Sequence, residues 1–314
     1  MVEILVTTTP DAPFLTSISK IDAVSGFRFN TGYMRLKTGK QEALQWFQDS
    51  ISPKDLWVDL KCREFKLAEA VDIMPGSEYL TLNHAIQAKL PAPLFFNEGK
   101  KVVQIDEITD GNKLHVRMPK NKKDFKISFG KGTSFNMPDA TITDNYLTPR
   151  DEEFAELARD LGMHTYCLSF VENATDIDAL LRIDPDAQII AKIESQRGLE
   201  FVKNEYAGVK DRVRLMAARG DMYIELERPH DILKAMKDII DADPNAIGAS
   251  RILLSVLEPG QMPTCADMCD IGFMLKLGYK AFLLGDEICG DENVLKSAVG
   301  ILLAIQQSYD SGNF

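Results

Sequence analysis

Two short apolar segments that end in charged residues constrain the fold of this 314-residue chain more than any other feature. Residues 189–191 lead into Lys192 and Glu194, and residues 213–218 lead, through an arginine and a glycine, into Asp221. A buried strand can carry charged side chains only at its end, where they face a shared cleft and can be paired or bind a metal ion. We therefore predict two neighbouring strands whose ends form one site.

The two segments belong to a longer alternation of strand-like and helix-like segments. The predicted strands are residues 4–7, 27–30, 57–60, 165–170, 188–194, 212–219, 247–253 and 280–285. The predicted helices include residues 41–50, 151–161, 176–183, 231–240 and 265–277. Repeated strand-then-helix units are typical of a parallel barrel, which takes about 250 residues and gathers its active site at the carboxyl ends of the strands. We expect an α/β fold, a TIM (β/α)8 barrel, over residues 1–66 and 136–314.

Residues 67–135 interrupt this alternation, and we expect them to form a small β domain, a lid, inserted between strand 3 and helix 3. Within it, residues 102–108 and 114–117 flank an Asp-Gly-Asn turn and predict a hairpin. Basic residues crowd this region, namely Lys100, Lys101, Lys113, Arg117, Lys120, Lys122, Lys123, Lys126 and Lys131. They indicate either a lid that faces a small polyphosphate or a solvated hairpin whose edges the lysines protect.

The charged strand ends have the chemistry of a metal-assisted reaction. Glu194 and Asp221 offer hard oxygen ligands that suit Mg²⁺ or Mn²⁺, which bind one or two carboxylates together with substrate oxygens. Lys192 lies on the same strand face as Glu194 and would stabilise an enolate or a phosphoryl group. Gly220 lets backbone N–H groups approach an anion closely. A lone Lys-x-Glu is usually a salt-bridged strand end, but a second charged strand end favours an active site.

Composition narrows the class of protein. The chain has no run of 18 apolar residues and no basic segment at its start, so we expect neither membrane insertion nor export. Its five cysteines, an odd number without paired Cys-x-x-Cys motifs, fit a reducing compartment and predict a cytoplasmic protein. The net charge of −11 argues against nucleic acid as a partner.

Beyond these patterns, the segments AKIESQRGLEF and MAARGDMYIEL resemble the catalytic core of the pyruvate kinase family. The likeness continues in order along the chain at residues 27–30, 58–61, 147–151, 249–253, 263–267 and 282–287. It covers most of residues 1–66 and 136–305 and implies a barrel with a β lid. Because the sequence ends at Phe314, we expect this chain to lack the C-terminal regulatory domain of the family.

The resemblance also implies a role for each matching residue. Lys192, Arg28 and Ser250 would act in catalysis, and Glu194 and Asp221 would bind Mg²⁺ or Mn²⁺. The residues for binding the phosphorylated cofactor, the nucleotide, are Lys66, Lys131, Gly220 and Arg219. Asn30 and Asp59 would bind a monovalent cation. Ser250 takes the place of a threonine that assists protonation of the enolate. The implied partners are small molecules, phosphoenolpyruvate or pyruvate and a nucleotide.

The chain departs from the family at some of these positions. Gly32 replaces the serine ligand of the monovalent-cation site, which leaves K⁺ an open question. Lys66 replaces the arginine that contacts nucleotide, and keeps its charge but loses the bidentate fork. Gly285-Asp286-Glu287 replaces Gly-Glu-Thr after the last strand. The substrate side is therefore retained more fully than the nucleotide side.

Three functions agree with this sequence. The first is a pyruvate kinase-like phosphotransferase with a role in glycolysis, which moves a phosphoryl group between phosphoenolpyruvate and a nucleoside diphosphate with Mg²⁺. The second is a metal-dependent aldolase or lyase that acts through a pyruvate enolate, because some barrel aldolases carry a glutamate and a downstream aspartate at similar spacing. The third is a non-catalytic pyruvate kinase-like binding protein, against which the intact Lys192, Glu194 and Asp221 count. The oligomeric state stays open, with a homo-oligomer as one outcome.

Overall fold

The computed structural model describes residues 2–32, 39–118, 125–257 and 262–312. Its strands are β1 (Glu3–Thr7), β2 (Val24–Asn30), β3 (Asp55–Leu60), β4 (Phe65–Lys66), β5 (Val71–Ile73), β6 (Tyr79–Thr81), β7 (Ile86–Gln87), β8 (Ala92–Phe96), β9 (Lys101–Thr109), β10 (Lys113–Val116), β11 (Ile127–Phe129), β12 (Ser134–Phe135), β13 (Thr141–Ile142), β14 (Thr165–Leu168), β15 (Gln188–Ile193), β16 (Val213–Ala218), β17 (Ile247–Ala249) and β18 (Ala281–Leu284). Its α-helices are α1 (Leu15–Ser19), α2 (Lys40–Ile51), α3 (Pro149–Asp160), α4 (Ala174–Leu181), α5 (Gln196–Asn204), α6 (Arg219–Glu225), α7 (Ile232–Ala242), α8 (Cys265–Leu277) and α9 (Glu292–Asp310).

Eight parallel strands close into a barrel in the order β1-β18-β17-β16-β15-β14-β3-β2. Each of these strands is followed along the chain by at least one helix before the next barrel strand begins. The predicted α/β fold, a TIM (β/α)8 barrel, is confirmed. None of the helices in the described ranges is long and apolar enough to cross a membrane.

Inside the barrel, charged side chains lie above an apolar layer. Ile190 belongs to the buried interior cluster, and Trp57 packs against that cluster. Side chains two residues apart on a strand point to the same face, so Lys192 follows Ile190 and Asp59 follows Trp57 into the barrel mouth. The alternation of each strand thus carries charge to the carboxyl end and keeps the middle of the barrel apolar.

Two predicted strands extend two or more residues beyond the observed carboxyl end. The strand predicted to reach residue 253 ends at Ala249, because Ser250 and Arg251 have φ angles of 68° and 58°. The strand predicted to reach residue 170 ends at Leu168, and Phe170 has a φ of 49°. Left-handed backbone cannot continue a ladder and is costly for side chains other than glycine. Both departures lie at the mouth of the barrel.

Between β3 and α3 the chain forms a four-stranded antiparallel sheet in the order β6-β10-β9-β8. The predicted hairpin is present as β9 and β10. A separate buried cluster extends from Phe65 to Ala140, and β4 pairs with β12 where the chain enters and leaves this region. We call this region the lid, and its boundaries at residues 67 and 135 stay a prediction.

Candidate active site

A cavity of about 430 Å³ opens at the carboxyl ends of the barrel strands. It is lined by residues of the barrel and of the lid, which include Arg28, Asn30, Gly32, Lys61, Glu64, Lys66, Asn136, Lys192, Glu194, Gly220, Asp221, Ser250, Arg251 and Asp286. The structure therefore brings together eight of the predicted site residues, namely Arg28, Asn30, Lys66, Lys192, Glu194, Gly220, Asp221 and Ser250. Asp59, Lys131 and Arg219 are not among the lining residues.

The carboxylate of Asp59 is fully buried beneath the cavity and faces three cations. Its Oδ2 accepts hydrogen bonds from Arg28 Nη2, at 2.7 Å, and from Lys61 Nζ. Lys192 Nζ lies 3.1 Å from Oδ1, in ion-pair contact but off the direction of a hydrogen bond. The three cations come from β2, from the residue after β3 and from β15, so one carboxylate joins three segments of the barrel.

These contacts determine the protonation state of the cluster. Burial alone would raise the pKa of Asp59, but the positive charges of Arg28, Lys192 and Lys61 outweigh it and hold that pKa well below its usual range. Burial lowers the pKa of Lys192, and the opposing charges of Asp59 and Glu194 more than compensate, so the net shift is upward. Asp59 is therefore ionised and Lys192 is a stable cation at neutral pH.

A second carboxylate fixes the chain just beyond β3. Asp151, in the first turn of α3, is 1% exposed and accepts hydrogen bonds from the backbone N–H of Lys61, at 2.7 Å, and of Cys62, at 3.1 Å. The same carboxylate completes a capping box with Thr148 at the start of the helix. Asp151 thereby places Lys61 beside Asp59, even though Cys62 has a φ of 46°.

Glu194 and Asp221 are two carboxylates of the cavity that accept hydrogen bonds from neutral donors. Glu194 Oε2 accepts the backbone N–H of Phe170 at 2.7 Å, and Oε1 lies 3.6 Å from Lys192 Nζ. Asp221 Oδ1 accepts a hydrogen bond from Asn136 Nδ2 at 3.1 Å. Burial, with the charges of Asp221 and Glu64, raises the pKa of Glu194 to about 8. Burial likewise raises the pKa of Asp221.

Such carboxylates fit a divalent cation. Two electron-rich groups with raised pKa values gain most when a positive charge lies between them. No cluster of three or more metal-ligating side chains is found in the part of the chain that the structure describes. Glu194 and Asp221 would therefore supply the protein ligands for Mg²⁺ or Mn²⁺, and substrate oxygens or water would complete the coordination, as these ions prefer.

The residues around Asn30 do not fit K⁺. Asn30 Oδ1 already accepts the N–H of Gly32 at 3.0 Å, and the carboxylate of Asp59 already faces three cations. A side chain at Gly32 would begin 2.9 Å from Cε of Lys61, so the lysine fills the space that a serine ligand would need. A further cation here would be repelled by those already present.

Ser250 and Gly220 meet at the opposite side of the cavity. A Cβ at Gly220 would lie 3.3 Å from Cβ of Ser250, so only glycine lets the start of α6 approach this closely without displacement. Ser250, Arg251 and Leu253 all have left-handed φ angles. Backbone strain of this kind persists where the surrounding structure enforces it, often at functional sites.

Arg219 and Lys131 lie elsewhere than expected. The Arg219 guanidinium is buried and donates to the carbonyls of Ala249 and Ser250 and to Asp270, so it supports the loop behind the cavity. Arg219 begins α6, and each helical residue turns by about 100°, which separates its side chain from that of Asp221. Lys131 is exposed on the lid.

The other basic residues of the lid favour the solvated hairpin over a surface for polyphosphate. Lys100, Arg117 and Lys126 form ion pairs with acidic residues of the lid, and Lys113 lies over the ring of Tyr79. Lys120, Lys122 and Lys123 lie outside the described residues.

Lys61 and Asp286 are cavity residues that received no site role from the sequence. Lys61 follows Asp59 at the same two-residue spacing that relates Lys192 to Glu194, so the strand period was an available signal. Asp286 lies 3.7 Å from Arg28 Nη1 and 3.3 Å from Asn30 Nδ2, and its contact joins residues 256 positions apart in sequence. Pairing of that kind depends on barrel closure and has no local signal.

Comparison with known proteins agrees with this geometry. The family model described as pyruvate kinase, barrel domain, matches residues 71–292. Pyruvate kinase of Agrobacterium vitis is 32% identical over 199 residues, which are 62% of this chain and 39% of the relative. Pyruvate kinase of Borreliella burgdorferi is 31% identical, over 60% of this chain and 41% of the relative. The chain thus spans about two fifths of the length of these curated relatives.

A solved structure shows the same fold. The crystal structure of a pyruvate kinase from Cryptosporidium parvum superposes with a TM-score of 0.74 and 19% sequence identity, over 97% of this chain and 68% of that one. At that identity the likeness establishes the fold alone, whereas the family model covers more than half of the sequence. The chain therefore belongs to the pyruvate kinase family.

Proposed function

We propose that this protein is a Mg²⁺-dependent phosphotransferase that moves a phosphoryl group between phosphoenolpyruvate and a nucleoside diphosphate. The observation that carries the proposal is that Lys192 and Arg28 line the same cavity as the carboxylates of Glu194 and Asp221. Family membership supports phosphoryl transfer, and it does not favour a lyase or a non-catalytic binding protein. The identity of the substrates rests on the chemistry of the cavity.

The cations would bind and stabilise the transferring group. Lys192 is held by Asp59 and Glu194, so its ammonium needs little reorganisation as negative charge develops on the substrate. Arg28 is fixed by Asp59, and it lines the cavity in which a substrate oxyanion would bind. Positioning and charge stabilisation of this kind account for most catalysis in phosphoryl transfer.

Metal binding and proton transfer would take place on the other side of the cavity. When bound by Glu194 and Asp221, Mg²⁺ would supply Lewis-acid stabilisation of substrate oxygens. The hydroxyl group of Ser250 would pass a proton to the enolate carbon of pyruvate, because it lines the same cavity.

Lys66 is our candidate for the nucleotide phosphates. It lines the cavity from the base of the lid, where its Nζ lies 3.0 Å from Glu64 and 3.1 Å from Ser134 Oγ. We also propose that the protein acts in the cytoplasm on small molecules, since all five cysteines are free thiols, as a reducing compartment allows.

Replacement of Lys192 by methionine tests the catalytic role. If the ammonium stabilises charge that develops in the transition state, Lys192→Met should lower turnover of phosphoenolpyruvate by on the order of a hundredfold or more, with little change in Mn²⁺ affinity. Steady-state kinetics measures the first quantity and electron paramagnetic resonance of Mn²⁺ the second. An unchanged turnover number would remove Lys192 from the mechanism.

Replacement of Glu194 by glutamine tests the metal site. We expect weaker Mn²⁺ binding in Glu194→Gln, as measured by calorimetry. Because the pKa of Glu194 is about 8 in the metal-free protein, Mn²⁺ must displace a proton below that pH. Wild-type affinity should therefore fall as the pH is lowered from 8, and this fall should be smaller in the variant. Equal affinities at all pH values would place the metal elsewhere.

Monovalent salts test the misfit of K⁺. We expect the wild-type rate to be the same in potassium chloride and in tetramethylammonium chloride, because the ammonium of Lys61 already lies beside Asp59. Lys61→Met should be slower, and K⁺ should restore part of the loss where tetramethylammonium does not. Strong stimulation of the wild type by K⁺ would contradict this account.

A further inference from the structure

Asn136 connects the metal-binding side of the cavity to the lid. It follows β12 on the return from the lid and is 7% exposed. Its side-chain Nδ2 donates to Asp221 Oδ1 and to Glu225 Oε1, each at 3.1 Å. The two acceptors lie four residues apart at the two ends of one turn of α6. One amide group therefore serves two carboxyl groups.

The backbone of the same residue belongs to the lid. Asn136 N donates to Phe95 O at 3.0 Å, and Phe95 N donates to Asn136 O at 2.8 Å. Phe95 lies in β8, an edge strand of the four-stranded sheet. Asn136 is thus bonded to the lid through its main chain and to α6 through its side chain.

We propose that Asn136 is a positioning residue that fixes the Asp221 carboxylate for the divalent cation and couples the metal site to the lid. The inference rests on the proposed metal role of Asp221. A ligand carboxylate is oriented by a hydrogen bond to the oxygen that does not bind the metal. An asparagine amide has two N–H donors and can serve Asp221 and Glu225 together. Aspartate at this position would have none and would add a third carboxylate.

The coupling predicts a measurable effect of the metal on the lid. Binding free energies between two sites are reciprocal, so a metal that fixes Asp221 also stabilises the backbone pair between Asn136 and Phe95. The amide of Phe95 should then exchange with solvent more slowly when metal is present. The amide of Phe170 offers an internal reference, because it donates to Glu194 and does not depend on Asn136.

Titration with Mn²⁺, followed by electron paramagnetic resonance, tests the positioning role on the full chain. Asn136→Ala should bind Mn²⁺ roughly 10- to 100-fold more weakly than the wild type, the loss typical when a hydrogen-bond partner of a metal ligand is removed. The matched control is Asn112→Ala, since the Asn112 side-chain amide donates to the backbone carbonyl of Leu82, at 3.0 Å, within the lid. The control should bind Mn²⁺ as the wild type does.

A second variant and a hydrogen-exchange measurement complete the test. If the alanine variant fails to fold, Asn136→Leu keeps the volume and removes both donors, and it should show the same loss. In hydrogen exchange, Mn²⁺ should slow the amides of Phe95 and Phe170 in the wild type, but only that of Phe170 in the variant. Wild-type affinity in the Asn136 variants, or equal protection of Phe95, would overturn this inference alone. A wild type that binds no Mn²⁺ would overturn the proposed metal site and this inference with it.

Discussion

The rest of the site depends on the buried carboxylate of Asp59. It forms ion pairs with Arg28, Lys61 and Lys192 and so holds three cations together within the barrel mouth. Removing one partner of a buried ion pair costs about 3–5 kcal/mol, because the remaining charge is left unpaired. Here one substitution would leave three cations that repel each other. The closed parallel barrel makes the cluster feasible, since it brings the ends of separate strands to one ring.

The site contains two kinds of carboxylate, which differ in how many cations surround them. Asp59 is saturated by cations of the protein itself, and its pKa is held low. Glu194 and Asp221 have fewer cationic neighbours, and burial raises their pKa values. The first arrangement excludes an additional monovalent cation, whereas the second favours an exchangeable divalent one. This division is the basis of our proposal that the site binds Mg²⁺ and does not bind K⁺, although both belong to the family resemblance.

The sequence predicted the features that depend on local period and on strand ends. Because side chains alternate along a strand, the sequence predicted that Lys192 and Glu194 share one face. The second charged strand end predicted that Asp221 lines the same cavity, as it does. The sequence could not predict the orientation of Arg219, which depends on where α6 begins, or the pairing of Asp286 with Arg28, which depends on barrel closure. The link through Asn136 was also hidden, because it needs the fold of the lid and of α6 together. Contacts between distant segments therefore account for most of what was missed.

Phosphorus nuclear magnetic resonance tests the central claim, that this cavity transfers a phosphoryl group from phosphoenolpyruvate to a nucleoside diphosphate. The protein would be incubated with phosphoenolpyruvate, Mg²⁺ and each nucleoside diphosphate in turn. Our account predicts that the phosphoenolpyruvate signal decreases while the γ-phosphate signal of one or more nucleoside triphosphates increases. The absence of any nucleoside triphosphate, in protein that binds Mn²⁺ and pyruvate normally, would contradict it.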